Sequence, residues 1–366
     1  VLQIEDLEIP APKAREVQIS VHAIGLNRAE IMYRTGNYVI EPTFPSVLGY
    51  EAAGVVTGIG EGVSEFSIGD AVSVIPSFGF DEYGTYGELI NLPVHAIVKH
   101  PKNLTFQQAA ASWMMFVTAY GALVHFGNLQ KDQYVVIGAA SSSVGVAAIQ
   151  IANMIGATPI ALTRTSAKKQ QLIDLGAKYV IATEEQDLVD ELNHITNHQG
   201  VNMVFDPVGG PAVGKIMQAM AKQGTFFQYG ALDTRDIQMS VMDVLGKHLT
   251  LRGYELFEIT TDSNALEQAK QFVYRGLESG QLSPLIDQAF NFEDIQKAHK
   301  YMETNAQIGK SNIVEDFGND FALIYEGTSA SIAYKGFEAL TQKGYKGKLV
   351  NIFSVKPLDV ELINRL

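Results

Sequence analysis

The sequence predicts an α/β protein: a doubly wound parallel sheet joined to a bent, β-rich domain, with a short βαβ-like extension at the C-terminal end. Three observations carry this reading. The stretch from Tyr134 to Lys169 has the composition of a strand–turn–helix–strand unit, strand and helix candidates alternate after it, and glycine-broken apolar runs fill the first hundred residues.

The organising stretch begins with Tyr134 to Ile137, an apolar, β-branched run typical of a strand buried on both faces. Gly138 to Ser143 holds only Gly, Ala and Ser, so no bulky side chain keeps a ligand off that backbone. From Val144 the apolar residues Ala147, Ala148, Ile151 and Ile155 recur at helical spacing, and Gly156 stands where a helix stops. Thr158 to Leu162 supplies the next strand. Such a unit turns free backbone N–H groups and a positive helix end toward an anion, and the expected anion is a dinucleotide pyrophosphate. On the GxGxxG pattern the three positions read Ala140, Ser142 and Gly145, so only the last is glycine. A tight turn that binds no nucleotide is the competing reading.

Before this unit, Val1 to Leu7 reads as strand-like and begins without lead-in, so the natural beginning is expected to lie outside this numbering. Val17 to Ala23 alternates like a half-buried strand. Glycines at 49, 54, 58, 60, 62 and 69 cut the following apolar runs into short strands, which predicts a strongly bent sheet or partial barrel. Tyr83 to Val98 adds short strands, and Thr105 to His125 reads as one helix.

After it, strands are expected at Lys178 to Ala182, Met203 to Pro207, Thr225 to Ala231 and Thr250 to Tyr254. Helices are expected at Gln186 to Thr196, Pro211 to Ala221 and Met242 to Lys247. Two amphipathic helices, Ala265 to Ser279 and Glu293 to Glu303, flank a strand at Ile286 to Phe290 and carry the chain back to the first domain. The resulting division is 1–104, β-rich and catalytic; 105–258, dinucleotide-binding; 259–314, the return; and 315–366, a tail.

Composition narrows the chemistry. The chain has 366 residues, 46% hydrophobic and 18% charged, enough for sizeable cores. Its formal net charge of -13 repels nucleic acid and anionic membrane surfaces. Without cysteine there is no disulfide and no thiolate metal site. No apolar run reaches the length of a membrane span, so a cytoplasmic protein is the default expectation.

The end of the second strand bears on which dinucleotide binds. An NAD site wants an acid about 20 residues past the first glycine position. Here Thr163 to Lys169 reads TRTSAKK, with no carboxylate before Asp174. Arg164 offers a planar fork and Lys168 a point charge to a 2′-phosphate, which predicts NADPH.

Together these motifs resemble the medium-chain dehydrogenase/reductase superfamily, in its zinc-independent, quinone-oxidoreductase-like branch. The matching segments are IGLNRAE at 24–30, PSVLGYEAAGVV at 45–56, FSIGDAV at 66–72, FVTAYGAL at 116–123, IGAASSSVGVAAIQIA at 137–152, DPVGG at 206–210 and QIGKSNIV at 307–314. The resemblance implies a GroES-like catalytic domain, a Rossmann cofactor domain, a cleft between them and a homodimer paired through the edge of the cofactor-domain sheet. By position it implies Asn27 and Thr118 near the nicotinamide, and Ser142, Ser143, Val144 and Gly145 at the pyrophosphate. It likewise implies Arg164 and Lys168 at the 2′-phosphate, Gly230 and Ala231 beside the nicotinamide, and Lys310 and Asn312 in the closing segment. Thr183 departs from the pattern, standing where many relatives place a phosphate-binding tyrosine.

Zinc-dependent relatives carry Cys near position 27, an acid near 30 and His at 50. This chain has Asn27, Glu30, Tyr50 and Glu51, and an amide and a phenol are poor zinc ligands. No metal site is therefore expected. Quinones and α,β-unsaturated carbonyls spread the charge of an incoming hydride over a conjugated system, so they need little electrophilic help. Hydride transfer from NADPH to such a small-molecule substrate is the expected activity. Tyr50 is a candidate hydrogen-bond donor to the substrate oxygen, with simple packing of the cleft as its alternative. A non-catalytic, crystallin-like NADPH-binding protein and a zinc-free alcohol dehydrogenase are the competing functions.

The tail predicts a strand at Asp320 to Tyr325, a helix at Ser329 to Lys343 and a strand at Lys348 to Phe353. VNIFSVKPLD at 350–359 resembles the C-terminal domain of transketolase-type thiamine-diphosphate enzymes. A two-strand unit is too small to stand alone, so the tail is expected to pack on the main body or on a second subunit.

Overall fold

The glycine-broken runs and the regular strand–helix rhythm become two different sheets in the computed structural model, which describes residues 2–314, 321–325, 335–336, 339–340 and 347–351. Contacts divide the chain into two compact units, Val1–Val314 and Glu315–Leu366.

The first sheet is built on β1 (Glu16–Gly25). It pairs antiparallel with β2 (Glu51–Ile59) along one edge, and with β4 (Leu89–Pro93) and β13 (Lys310–Val314) along the other. β3 (Ala71–Val74) and β5 (Ile97–Lys99) extend the β2 side, and β12 (Ile286–Asn291) runs parallel to β13. Register shifts in the β1–β2 ladder bend the sheet, which closes over Val17, Ile19, Val56, Val72 and Leu92. Gly54 permits this because a Cβ there would stand 1.9 Å from the Ser20 carbonyl oxygen.

The second sheet is parallel throughout, in the order β11–β10–β9–β6–β7–β8. Its strands are β6 (Tyr134–Ile137), β7 (Thr158–Thr163), β8 (Tyr179–Ala182), β9 (Val201–Asp206), β10 (Met220–Gln228) and β11 (Thr250–Gly253). Counted from its own first strand, this is the 3-2-1-4-5-6 order of a Rossmann sheet, with its switch point between β6 and β9. Period-two alternation serves two helical layers. Val135, Ile137, Phe205 and Phe227 face the layer holding α3 (Trp113–Tyr120), α4 (Ser143–Ile155) and α10 (Ser263–Glu278). Val136, Val204 and Phe226 face α6 (Leu188–Ile195) and α7 (Ala212–Gln218).

Two expectations are corrected. Val1 to Leu7 is expected as strand, but residues 2–13 form none. Side chains satisfy carbonyls there instead: Asn91 Nδ2 donates to Pro10 at 2.8 Å and Gln296 Nε2 to Leu2 at 2.8 Å. The segment from Thr105 to His125 is not one helix but α2 (Phe106–Ala110), α3 and a π-helical turn over Gly121–Phe126. Two bonds mark the break: Ser112 Oγ donates to the Gln108 carbonyl at 2.7 Å, and the Met114 N–H of the new first turn donates to Glu51 Oε1 at 2.7 Å.

In the second unit, β14 (Phe321–Tyr325) and β15 (Gly347–Asn351) pair in parallel, the arrangement a βαβ-type unit requires. Residues 335–336 and 339–340 are helical; the rest of the expected helix, and most of the transketolase-like segment, lie outside the described residues. Among the described residues no helix is long and apolar enough to cross a membrane.

Candidate active site

The phosphate-type turn forms at the carboxyl end of β6. Ser142 caps α4, its hydroxyl accepting the Gly145 N–H at 3.0 Å while its carbonyl accepts that of Val146 at 2.9 Å. First-turn N–H groups of a helix lack an intrahelical partner and favour an anion, and the Ser142–Gly309 bridge brings the closing segment onto this turn. Gly145 lets the helix close on the strand: a Cβ there would stand 2.7 Å from Ala140 Cα. At the switch point, Gly138 makes room for Asp206, whose Oδ1 would lie 1.8 Å from a Cβ at that position. Asp206 Oδ2 accepts the Val208 and Gly209 N–H groups at 3.1 and 2.8 Å, and burial pushes its carboxyl up to about 6.

A second segment closes over this turn. The Gly309 N–H donates to the Ser141 carbonyl at 3.0 Å, and Lys168 Nζ donates to the carbonyls of Asn305 and Gln307 at 3.2 and 3.0 Å. Lys168 is thereby held beside the turn, and its desolvation lowers its pKa. Arg164 is exposed close by. A carboxylate absent from the local sequence arrives from the turn after β8: Glu185 Oε1 accepts the Ser166 N–H at 3.0 Å.

One residue beyond Gly309, β13 carries Lys310 into a buried polar cluster. Its ammonium donates to Asn27 Oδ1 and Glu51 Oε2. Asn27 caps α1 (Arg28–Arg34), and its Nδ2 donates to Glu30 Oε1, Glu51 Oε2 and the Gly25 carbonyl, each at 3.2 Å. Glu30 also accepts the Asn27 N–H, and the Tyr50 N–H at 3.3 Å. Burial pushes Glu30 up to about 8, against the opposing pull of Lys310.

The remaining expected site residues are placed as follows. Tyr50 is fully buried, stacked on Phe80 at 3.9 Å with Phe78 and Phe257 at 5.9 and 5.8 Å. Burial raises its pKa above the ordinary phenol range. Thr118 Oγ1 donates to the Met114 carbonyl at 2.5 Å, within its own helix. Gly230 and Ala231 follow β10 at the switch-point end, where the Gly230 carbonyl accepts Gln228 Nε2 at 2.7 Å. Asn312 is buried in β13, and its amide donates to the Gln107 carbonyl at 2.7 Å. The structure thus joins Asn27 and Tyr50 through Glu30, and Ser142 and Lys168 around one turn. Asn312 is turned to the start of α2. Asp206, Glu185 and the pairing of Glu51 with Lys310 were missed. The single signal for the last was Glu51 following Tyr50 in a buried-strand pattern.

The donor set does not fit zinc. Asn27, Glu30 and Glu51 offer oxygens only, and an ammonium fills the point on which Asn27 Oδ1 and Glu51 Oε2 converge. Among the described residues no three His, Cys, Asp or Glu side chains group to hold a metal. A dinucleotide is compatible with the β6–α4 turn, where Gly138 to Ser143 carry no bulky side chain ahead of the α4 N-terminus at the switch point.

A Rossmann-order parallel sheet joined to a bent, GroES-like β sheet defines a dinucleotide-fold oxidoreductase. Residues 13–102 match the family model described as alcohol dehydrogenase GroES-like domain, and residues 143–273 the one described as zinc-binding dehydrogenase. Quinone oxidoreductase 1 of Escherichia coli K12 is 30% identical over 322 residues, 86% of this chain and 95% of that protein. The solved structure of Escherichia coli quinone oxidoreductase complexed with NADPH superposes with a TM-score of 0.78 at 28% identity, covering 85% of this chain and 94% of that one. That of CurK enoyl reductase gives 0.75 at 25% identity, with the same coverage. The chain belongs to the medium-chain dehydrogenase/reductase superfamily, in its quinone-oxidoreductase-like branch.

Proposed function

We propose that the protein is an NADPH-dependent, zinc-independent reductase that transfers hydride to a quinone or an α,β-unsaturated carbonyl. The observation that carries this is the junction at Gly309 and Lys310, which sets the dinucleotide turn one residue from a buried cluster whose cation is an ammonium. The quinone and enoyl reductases among its relatives support the substrate class.

When bound, NADPH supplies the hydride. The chain's own residues bind and orient it. Ser142, Ser143, Val144 and Gly145 form the helix-end turn that would hold the pyrophosphate, and Arg164 with Lys168 would supply cations for the 2′-phosphate. Asn27, Thr118, Gly230 and Ala231 border the nicotinamide. Asn27 and Thr118 have their polar atoms tied to protein partners, so their part is to shape and dry the wall against which the ring lies. Asn312 acts by holding the closing strand to the start of α2. Lacking a strong electrophile, such a site suits substrates that delocalise the arriving charge themselves.

A homodimer fits an edge strand β11 that pairs only with β10 among the described residues, flanked by Val241, Met242 and Leu245 at 76, 72 and 66% exposure. NADH is the second reading for the cofactor, favoured by the Glu185 carboxylate at the Ser166 N–H.

Oxidation of NADPH and NADH against a panel of quinones and enones, before and after EDTA treatment, tests this reading. Turnover with either substrate class that survives EDTA supports it. Absence of turnover across the panel leaves the non-catalytic alternative, and turnover abolished by EDTA removes the zinc-independent one.

A further inference from the structure

Lys310 and Glu51 have side chains 1% and 0% exposed, and neither has solvent to stabilise its charge. Burying charged groups is costly unless geometry is close to ideal, so a cluster of this kind needs a reason beyond stability. Its geometry is that of a cation site. Asn27 Oδ1, from the cap of α1, and Glu51 Oε2, from the start of β2, converge on the Lys310 ammonium from two separate elements. The other Glu51 oxygen is held by the Met114 N–H at 2.7 Å, so the carboxylate cannot turn away. Glu30 lies behind Asn27 with its own oxygens bound to the Asn27 amide and the Tyr50 N–H.

We propose that the Lys310 ammonium is the built-in cation of this pocket, occupying the point at which oxygen ligands converge and thereby keeping a divalent metal out. The inference rests on the zinc-independent reading above and gives it a physical cause: the pocket already holds its positive charge, covalently attached. With the ammonium removed, the vacated point is bordered by Asn27 and Glu51 oxygens, with Glu30 next in line. An all-oxygen set selects a hard cation of the Mn²⁺ or Mg²⁺ type over zinc.

The test uses the full chain and Mn²⁺ as probe, on the wild type, Lys310→Ala, Lys310→Arg and the double variant Lys310→Ala/Glu51→Gln. Metal retained after gel filtration and the shift in Tm are read together. Lys310→Ala is expected to retain about one Mn²⁺ per chain and to gain on the order of 5 °C in Tm with the metal. The wild type, Lys310→Arg and the double variant retain none. A folded Lys310→Ala that retains no Mn²⁺ overturns the proposal, as does a wild type whose bound Mn²⁺ disappears on Glu51→Gln. Should Lys310→Ala fail to fold in plain buffer, refolding with Mn²⁺ decides: recovery supports the proposal, and failure while Lys310→Arg folds overturns it. The EDTA experiment is independent, since loss of wild-type turnover there removes the zinc-independent reading without altering what Lys310→Ala binds.

Discussion

The Lys310 ammonium and the Glu51 carboxylate form an ion pair across 259 positions of sequence, with both side chains removed from solvent. Glu51→Ala leaves that ammonium buried with only the Asn27 amide oxygen. Breaking a buried pair from one side costs about 3–5 kcal/mol, so the urea midpoint should fall steeply. An unchanged midpoint for Glu51→Ala means that the pocket is wet enough to solvate the ammonium.

Arg164 and Glu185 set opposite charges at the end of β7. If the 2′-phosphate binds there, Arg164→Ala weakens NADPH by about 10–100-fold, the scale of a charge-assisted hydrogen bond, and leaves NADH untouched. Glu185→Gln frees the Ser166 N–H from its carboxylate and tightens NADPH relative to NADH. Titration of both cofactors by nicotinamide fluorescence reads the two effects. Equal changes for NADH and NADPH would place the adenosine ribose elsewhere.

Tyr50 tests the difference between a catalytic hydroxyl and a packing ring. Its ring stacks on Phe80 at 3.9 Å inside an aromatic cluster with Phe78 and Phe257. Tyr50→Phe keeps that packing and should leave kcat within about twofold, whereas Tyr50→Ala loses about 3–5 kcal/mol of stability. A Tyr50→Phe enzyme that keeps its stability but loses kcat tenfold returns the hydroxyl to the chemistry.

His299 makes stability depend on acid. It is 2% exposed, shares a 2.9 Å hydrogen bond with Tyr86, and burial lowers its pKa to about 4 from 6.5. The unfolded chain therefore binds a proton at higher pH than the native one. The stabilisation is complete above about pH 6.5 and is lost as pH falls toward 4, by at most about 3 kcal/mol. Urea midpoints between pH 7.5 and 5 should fall more steeply for the wild type than for His299→Gln. Parallel slopes would show that folding leaves the His299 pKa unshifted.

Much of the cofactor lobe was legible in order of appearance. Short β-branched runs such as Tyr134 to Ile137, each followed by helical periodicity, admit few arrangements other than a parallel sheet between two helical layers. Small residues from Gly138 to Ser143 announced the turn for the same reason that they form it: nothing bulky fits beside Asp206 and the helix end. The break between α2 and α3 was illegible, because one of the two bonds that mark it reaches a carboxylate sixty-three positions away at Glu51. Val1 to Leu7 misled in the other direction, since a β-type pattern makes a strand only where the tertiary structure brings it to a sheet edge.

From residues alone came the alternating rhythm, the phosphate turn and the unsuitability of Asn27 and Tyr50 as zinc ligands, because each depends on local composition or on the chemistry of one side chain. Only the tertiary structure decided that Lys310 faces Glu51 and Asn27, that Glu185 reaches the turn below Arg164, and that Tyr50 is sealed among aromatics. Those relationships depend on which distant strands become neighbours, and on how much water is excluded when they do.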